Sequence, residues 1–207
     1  MRRLLMDLHD ALSQLDHIQK QLAHSATFRG YRSLPAALFS GIALLAATAQ
    51  TLWLPTAPQN PMQFVLLWVS VAVVCGFLQL LEIVVRAWRD GRQVTTRLTV
   101  RALELLVPCV VAGACLTLAL VCVAPESLWL LPGLWSLLLS LGIFASLPVL
   151  PRAISLVAFY YFLCGIGCLV IFRGPWAFSP WSMAVTFGGG QLLASLVLYF
   201  TLERGHA

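Results

Sequence analysis

The chain has 207 residues, of which 60% are hydrophobic and only 10% charged, with a mean hydropathy of +0.88. A water-soluble domain devotes roughly a quarter of its residues to charge, so this composition excludes a soluble globular fold and points to a lipid-embedded chain. The net charge of +5 sits at the ends of apolar runs and not in a stripe on a polar fold, which removes nucleic acid as a partner.

Residues 1–33 read as a cytoplasmic amphipathic helix followed by an interfacial hinge at Phe28, Arg29, Gly30, Tyr31 and Arg32. Leu4, Leu8, Ala11, Leu15, Ile18 and Leu22 recur at alternating spacings of four and three, a heptad seam. Leu4, Leu8, Leu15, Ile18 and Leu22 are therefore the candidate partner-binding positions. Asp7, Asp10 and Asp16 offset Arg2, Arg3 and Lys20, so the helix lacks the basic face of one that lies on anionic lipid. The seam is expected to pack on another protein helix, in a homo-oligomer or on a cytoplasmic partner. About three heptads would be marginal in isolation. The long polar lead is unlike a secretory signal, although Ala47-Thr48-Ala49 resembles a small-residue cleavage site.

Crossing a hydrocarbon layer of about 30 Å takes roughly 20 apolar residues in a helix. Six such runs occur, at about 34–54, 62–85, 102–124, 128–147, 152–172 and 181–202, leaving a short tail at 203–207. The expected fold is all-α, a polytopic membrane protein with six transmembrane helices in a compact bundle spanning 34–202. Residues 55–61 and 125–127 allow only turns, which makes the helices they join antiparallel neighbours.

Basic residues set the orientation. With six spans, Arg2, Arg3, Lys20, Arg29, Arg32, Arg86, Arg89, Arg92, Arg97, Arg101, Arg152 and Arg204 share one side and Arg173 alone takes the other. Both termini are thus expected in the cytoplasm. Trp53, Trp129, Trp176 and Trp181 gather at the opposite boundary, where amphipathic rings favour the headgroup layer.

Ionisable groups inside spans are the first place to seek function. Glu82 lies about a turn inside the second span and Glu104 less than a turn into the third, with Arg86 four residues after the one and Arg101 three before the other. Glu82, Arg86, Arg101 and Glu104 form a candidate ligand-binding cluster for a cation, a proton or a polar headgroup. Pro108 releases the carbonyl of Glu104 beside it. The competing reading has each glutamate neutralised by its own arginine, whose stem snorkels to the headgroups. Gln191 is the other ligand-binding candidate, an amide near mid-membrane that needs a partner such as Gln79 or a hydroxyl of Tyr160 or Tyr161.

No catalytic residue and no metal or cofactor site is expected. His9, His17, His24 and His206 all lie outside the spans, against haem ligation or histidine catalysis within the bundle. Asp10, His17 and His24 share a helical stripe, but two turns separate each pair by about 10.5 Å, too far for one metal ion. Glu82-x-x-x-Arg86 resembles one fragment of the intramembrane prenyl-protein proteases, whose intramembrane histidines have no counterpart here. Ser136, Ser140 and Ser195 have no nearby base. Cys75, Cys109, Cys115, Cys122, Cys164 and Cys168 all fall in apolar runs and read as small packing residues.

Ser136 with Ser140, Gly142 with Ser146, Cys164 and Cys168 with Gly165 and Gly167, and Gly188-Gly189-Gly190 have the spacings that let helices approach closely. The basic loop from Arg86 to Arg101 attracts anionic lipid. The leading functional expectation is a non-enzymatic membrane subunit or scaffold that assembles through its N-terminal helix. The alternative is a small transporter or binding protein for a lipophilic molecule, lipid or quinone-like. Its expected location is a prokaryotic cell (inner) membrane.

Overall fold

The computed structural model of the protein describes residues 33–53, 60–90 and 93–203, without the side chains at 86, 87, 89–90, 93–100, 174–175 and 202–203. The amphipathic seam, the hinge and the tail lie outside the described residues. Those described are helical, with no strand among them. Six helices are long and apolar enough to cross a membrane.

They are α1 (Ser33–Trp53), α2 (Pro61–Asp90), α3 (Gln93–Val123), α4 (Leu131–Ser146), α5 (Ser155–Val170) and α6, which begins at Pro180 and runs through the span Pro180–Thr201. Short 3-10 turns at Pro125–Leu130, Leu147–Val149, Arg152–Ile154 and Gly174–Phe178 link the later helices. Proline opens several of these segments, where its missing N–H costs no helical bond. The run expected at 62–85 continues to Asp90 and the one expected from 102 begins at Gln93. At 30 and 31 residues, α2 and α3 are each about 45 Å long, half again the thickness of a hydrocarbon layer.

The helices form a ring in chain order, closed by α1 against α6. The tightest pairings are α4 with α5, α3 with α4 and α1 with α6, whereas the consecutive helices α2 and α3 barely touch. One end of the ring holds Trp53, Trp129, Trp176 and Trp181, and the other holds the end of α2 and the start of α3; we call them the tryptophan end and the arginine end.

Small residues explain the tight pairings. A Cβ on Gly133 would stand 2.9 Å from the Gly165 carbonyl oxygen, and one on Gly165 would stand 3.0 Å from that of Gly133, so α4 and α5 cross backbone on backbone. On the same seam, Ser136 donates to the Tyr161 carbonyl and Ser140 to that of Ala158, both at 2.8 Å. Gly142 gives the equivalent approach to Leu106 and Cys109 of α3. Beside it, Ser146 donates to the carbonyls of Gly142 and Ala102. The expected packing role thus holds for Ser136, Ser140, Gly142, Ser146 and Gly165, while Gly167 faces open space.

The two ends differ in how they are filled. Towards the tryptophan end one hydrophobic cluster draws on α1 (Ala43, Ala46, Ala47), α2 (Phe64, Val65, Trp68), α4 (Leu131) and α6 (Met183, Ala184), with Leu120 and Val121 of α3 against it. Towards the arginine end the cluster draws on α4, α5, α6 and the connection between α4 and α5, through Leu139, Ile143, Ile154, Val157, Tyr161 and Leu198. Phe187 packs on both.

Gly133→Leu and Gly165→Leu are each expected to break the α4–α5 seam, lowering the unfolding temperature in mild detergent sharply. Ser136→Ala is expected to cost only about 0.6 kcal/mol. Equal effects of the glycine and serine variants would contradict backbone contact as the basis of the seam.

Candidate functional site

The candidate site forms where α6 departs from ideal geometry. Its residues Ala184–Gly189 are π-helical, between α-helical Pro180–Met183 and Gly190–Leu198. Such a segment lengthens the hydrogen-bonded turn and leaves carbonyls without their usual donors, a cost that must be met by other groups inside lipid. Two neighbouring helices meet it. Tyr160 of α5 donates to the Val185 carbonyl at 2.6 Å, and Ser40 of α1 donates to the Gly188 carbonyl at 2.8 Å. Thr186 turns back to the Ser182 carbonyl at 2.6 Å, with the Cys168 sulfur 3.7 Å from its hydroxyl.

The triple glycine makes these approaches feasible. Any Cβ on Gly189 would meet the Tyr160 hydroxyl, any on Gly190 the Tyr161 ring and hydroxyl, and one on Gly188 would press on Leu44 at 3.3 Å. The run Gly188-Gly189-Gly190 is therefore the surface on which two tyrosines and α1 rest.

Tyr161 is the anomaly. It is 1% exposed, and its hydroxyl is a buried side-chain oxygen with no hydrogen-bond partner. Gln191 lies close enough to act on it electrostatically without meeting hydrogen-bond geometry. The rings of Phe187 and Tyr160 flank it at 5.8 and 6.1 Å. A buried hydroxyl left unpaired costs about 1–3 kcal/mol, so a fold that otherwise caps its stray carbonyls leaves one donor unused midway along α6.

Gln191 is half-buried, one turn from Phe187 towards the arginine end. On α2, Val71, Cys75, Gln79 and Glu82 form a half-buried stripe that grows more polar towards that end. The tryptophan end is closed by contrast. Gln50, 2% exposed, donates to the Phe178 carbonyl at 2.8 Å and accepts from the Trp68 indole at 2.9 Å, tying α1, α2 and the segment before α6 together. Phe64 and Phe178 pack edge to face beside it, with ring centroids 5.3 Å apart.

Of the sequence candidates, Gln191 belongs to this site. Glu82 is half-buried on α2 and already engaged by a neighbour, while Arg101 and Glu104 are exposed on α3. Arg86 lies on α2 one turn beyond Glu82, with its side chain outside the described residues. The helices that carry the two carboxylates, α2 and α3, make few contacts with each other. Tyr161 appeared in the sequence only as a potential partner of Gln191. The Gln50 bridge and the π-helical segment carried no sequence signal apart from the glycine run.

Tyr160→Phe strands the Val185 carbonyl and is expected to destabilise the bundle by about 1 kcal/mol, whereas Tyr161→Phe removes an unpaired hydroxyl and is expected to be neutral or stabilising. Thermal unfolding of the two variants side by side checks this, and a larger loss for Tyr161→Phe would show that its hydroxyl has a structural partner. No protein-family model, curated protein or solved structure matches the chain.

Proposed function

We propose that this chain is a non-enzymatic membrane protein that binds, and by binding carries or presents, a lipophilic molecule bearing one polar group. The observation that carries the reading is the unused Tyr161 hydroxyl beside Gln191, midway along a helix whose other stray polar groups are capped. The difference between the two ends supports it, since the Gln50 bridge closes the tryptophan end while half-buried polar groups line the helices towards the arginine end. Ligand sites are characteristically apolar with a few convergent polar groups, and this one has that composition.

On this reading the arginine end faces the cytoplasm of a cell (inner) membrane, with anionic lipid around the basic α2–α3 connection, as the distribution of arginine favours. An alkaline phosphatase fused after Ala207 is then expected to be inactive and a fluorescent protein at the same place to fluoresce; the reverse pattern would overturn the orientation.

A second reading, a scaffold assembled through Leu4, Leu8, Leu15, Ile18 and Leu22, rests on the heptad spacing of those residues. Native mass spectrometry of full-length protein released gently from membranes separates the two. The binding reading predicts a discrete small-molecule mass, lost in Gln191→Leu. Bare protein with an added subunit that disappears on deleting residues 1–24 would replace it with the scaffold.

A further inference from the structure

The polar groups around Tyr161 narrow the chemical class of the ligand. Tyr161 brings a hydroxyl with no acceptor, Gln191 an amide, and Cys164 a half-buried thiol beside Tyr160. None is charged. Among the described residues of the spans, Glu82, Arg101, Glu104 and Arg152 lie towards the arginine end and Glu126 at the tryptophan end, each at least about two turns from mid-span. A carboxylate or ammonium brought to Tyr161 would lose its hydration and meet no counter-charge, at a cost a neutral head avoids. An unused O–H asks for an acceptor, and the flanking rings of Phe187 and Tyr160 favour a flat one.

The fold also provides a route for an apolar tail. From Val73 to Val85 no residue of α2 is buried, and Val73, Phe77 and Leu80 are 65%, 65% and 56% exposed. Across the gap, α3 turns its buried positions Ala102, Gly113 and Thr117 to α4, through Ser146, Leu138 and Trp135. Between α2 and α3 the bundle is thus open along its side, flanked by Cys75 and Gln79, while the cluster on which Val71, Leu120 and Phe187 rest closes it towards the tryptophan end.

We infer that the ligand is a neutral, carbonyl-bearing ring with a long apolar tail, quinone-like in chemistry, whose carbonyl accepts from Tyr161 and whose tail leaves sideways between α2 and α3 into the bilayer. This rests on the binding reading above and adds the head's chemistry and the tail's path. No bond is made or broken.

The test uses the full chain in lipid nanodiscs and three decyl-tailed probes: decylubiquinone, decanoate and decylammonium. Decylubiquinone is expected to bind saturably, one per chain and at least tenfold more tightly than either charged probe, with Tyr161→Phe weakening it about fivefold to tenfold. Cys75→Trp, which narrows the side opening, is expected to weaken decylubiquinone but not its tail-less benzoquinone head. Leu66→Trp, on the exposed face of α2 nearer the tryptophan end, serves as the control for a bulky ring in that helix and is expected to change neither. Equal binding of a charged probe, or full affinity in Tyr161→Phe, overturns the chemical class while leaving a lipophile-binding protein in place. Equal loss of both quinones in Cys75→Trp overturns the tail's path. Saturable binding of none of the probes, together with no small-molecule mass on the native protein, overturns the inference and the binding reading alike.

Discussion

Helices in lipid gain nothing from hiding apolar faces against each other, because the lipid is as apolar as they are. What holds this bundle is therefore the close approach of backbones at glycine and serine, supplemented where a hydroxyl on one helix reaches a carbonyl on the next. Ser136 and Ser140 do this between α4 and α5, Ser146 between α4 and α3, Ser40 between α1 and α6, and Tyr160 between α5 and α6. The tight pairings follow these bonds. Residues 72–85 of α2 contain no serine, threonine or tyrosine, and Gly76 within them has nothing near it. That half of α2 accordingly stands apart, and the ring has a seam that is not sealed.

The same constraint gives meaning to polar groups that do not fit it. A hydroxyl whose bond helps fasten two helices needs no function. Tyr161 fastens nothing through its hydroxyl, although its own carbonyl receives Ser136 and its ring fills the space over Gly190. Its neighbour Tyr160, one position along the helix, donates its hydroxyl to the Val185 carbonyl of the π-helical segment. The pair shows two uses of one residue type: the first donates to a carbonyl of the next helix, and the second leaves a buried donor among aromatic rings. Phe187 stands between the sealed and the open halves, touching both hydrophobic clusters.

The six spans were legible because length and apolarity alone decide them, and the small-residue positions were legible because close approach in lipid demands them. Gly165 and Gly167 show the limit of that reading: both have the right composition, yet only one faces a partner, since the step of two residues from one to the other turns the direction on the helix by about 200°. Glu82 and Glu104 were placed together as a candidate cluster because the helices that carry them are consecutive in the chain, but chain order alone does not say how closely two helices pack along their length. Gln50 carried no signal in the sequence, because its two partners lie 18 and 128 positions away. The π-helical segment against which Tyr160 and Tyr161 pack lies in another helix, and no local pattern announces it. The heptad seam at residues 4–22 is visible only in the sequence.

The central claim is that the interior beside Tyr161 is reachable from the bilayer through the side of the ring. Collision of molecular oxygen with a spin label at Gln191→Cys, in protein whose native cysteines are replaced and which is reconstituted in bilayers, measures this directly. The account predicts oxygen access approaching that of a label at the exposed neighbour Leu192, because lipid and the gas dissolved in it reach both. A label at position 191 that is immobile and shielded from oxygen would mean that the interior is closed, and would contradict the account.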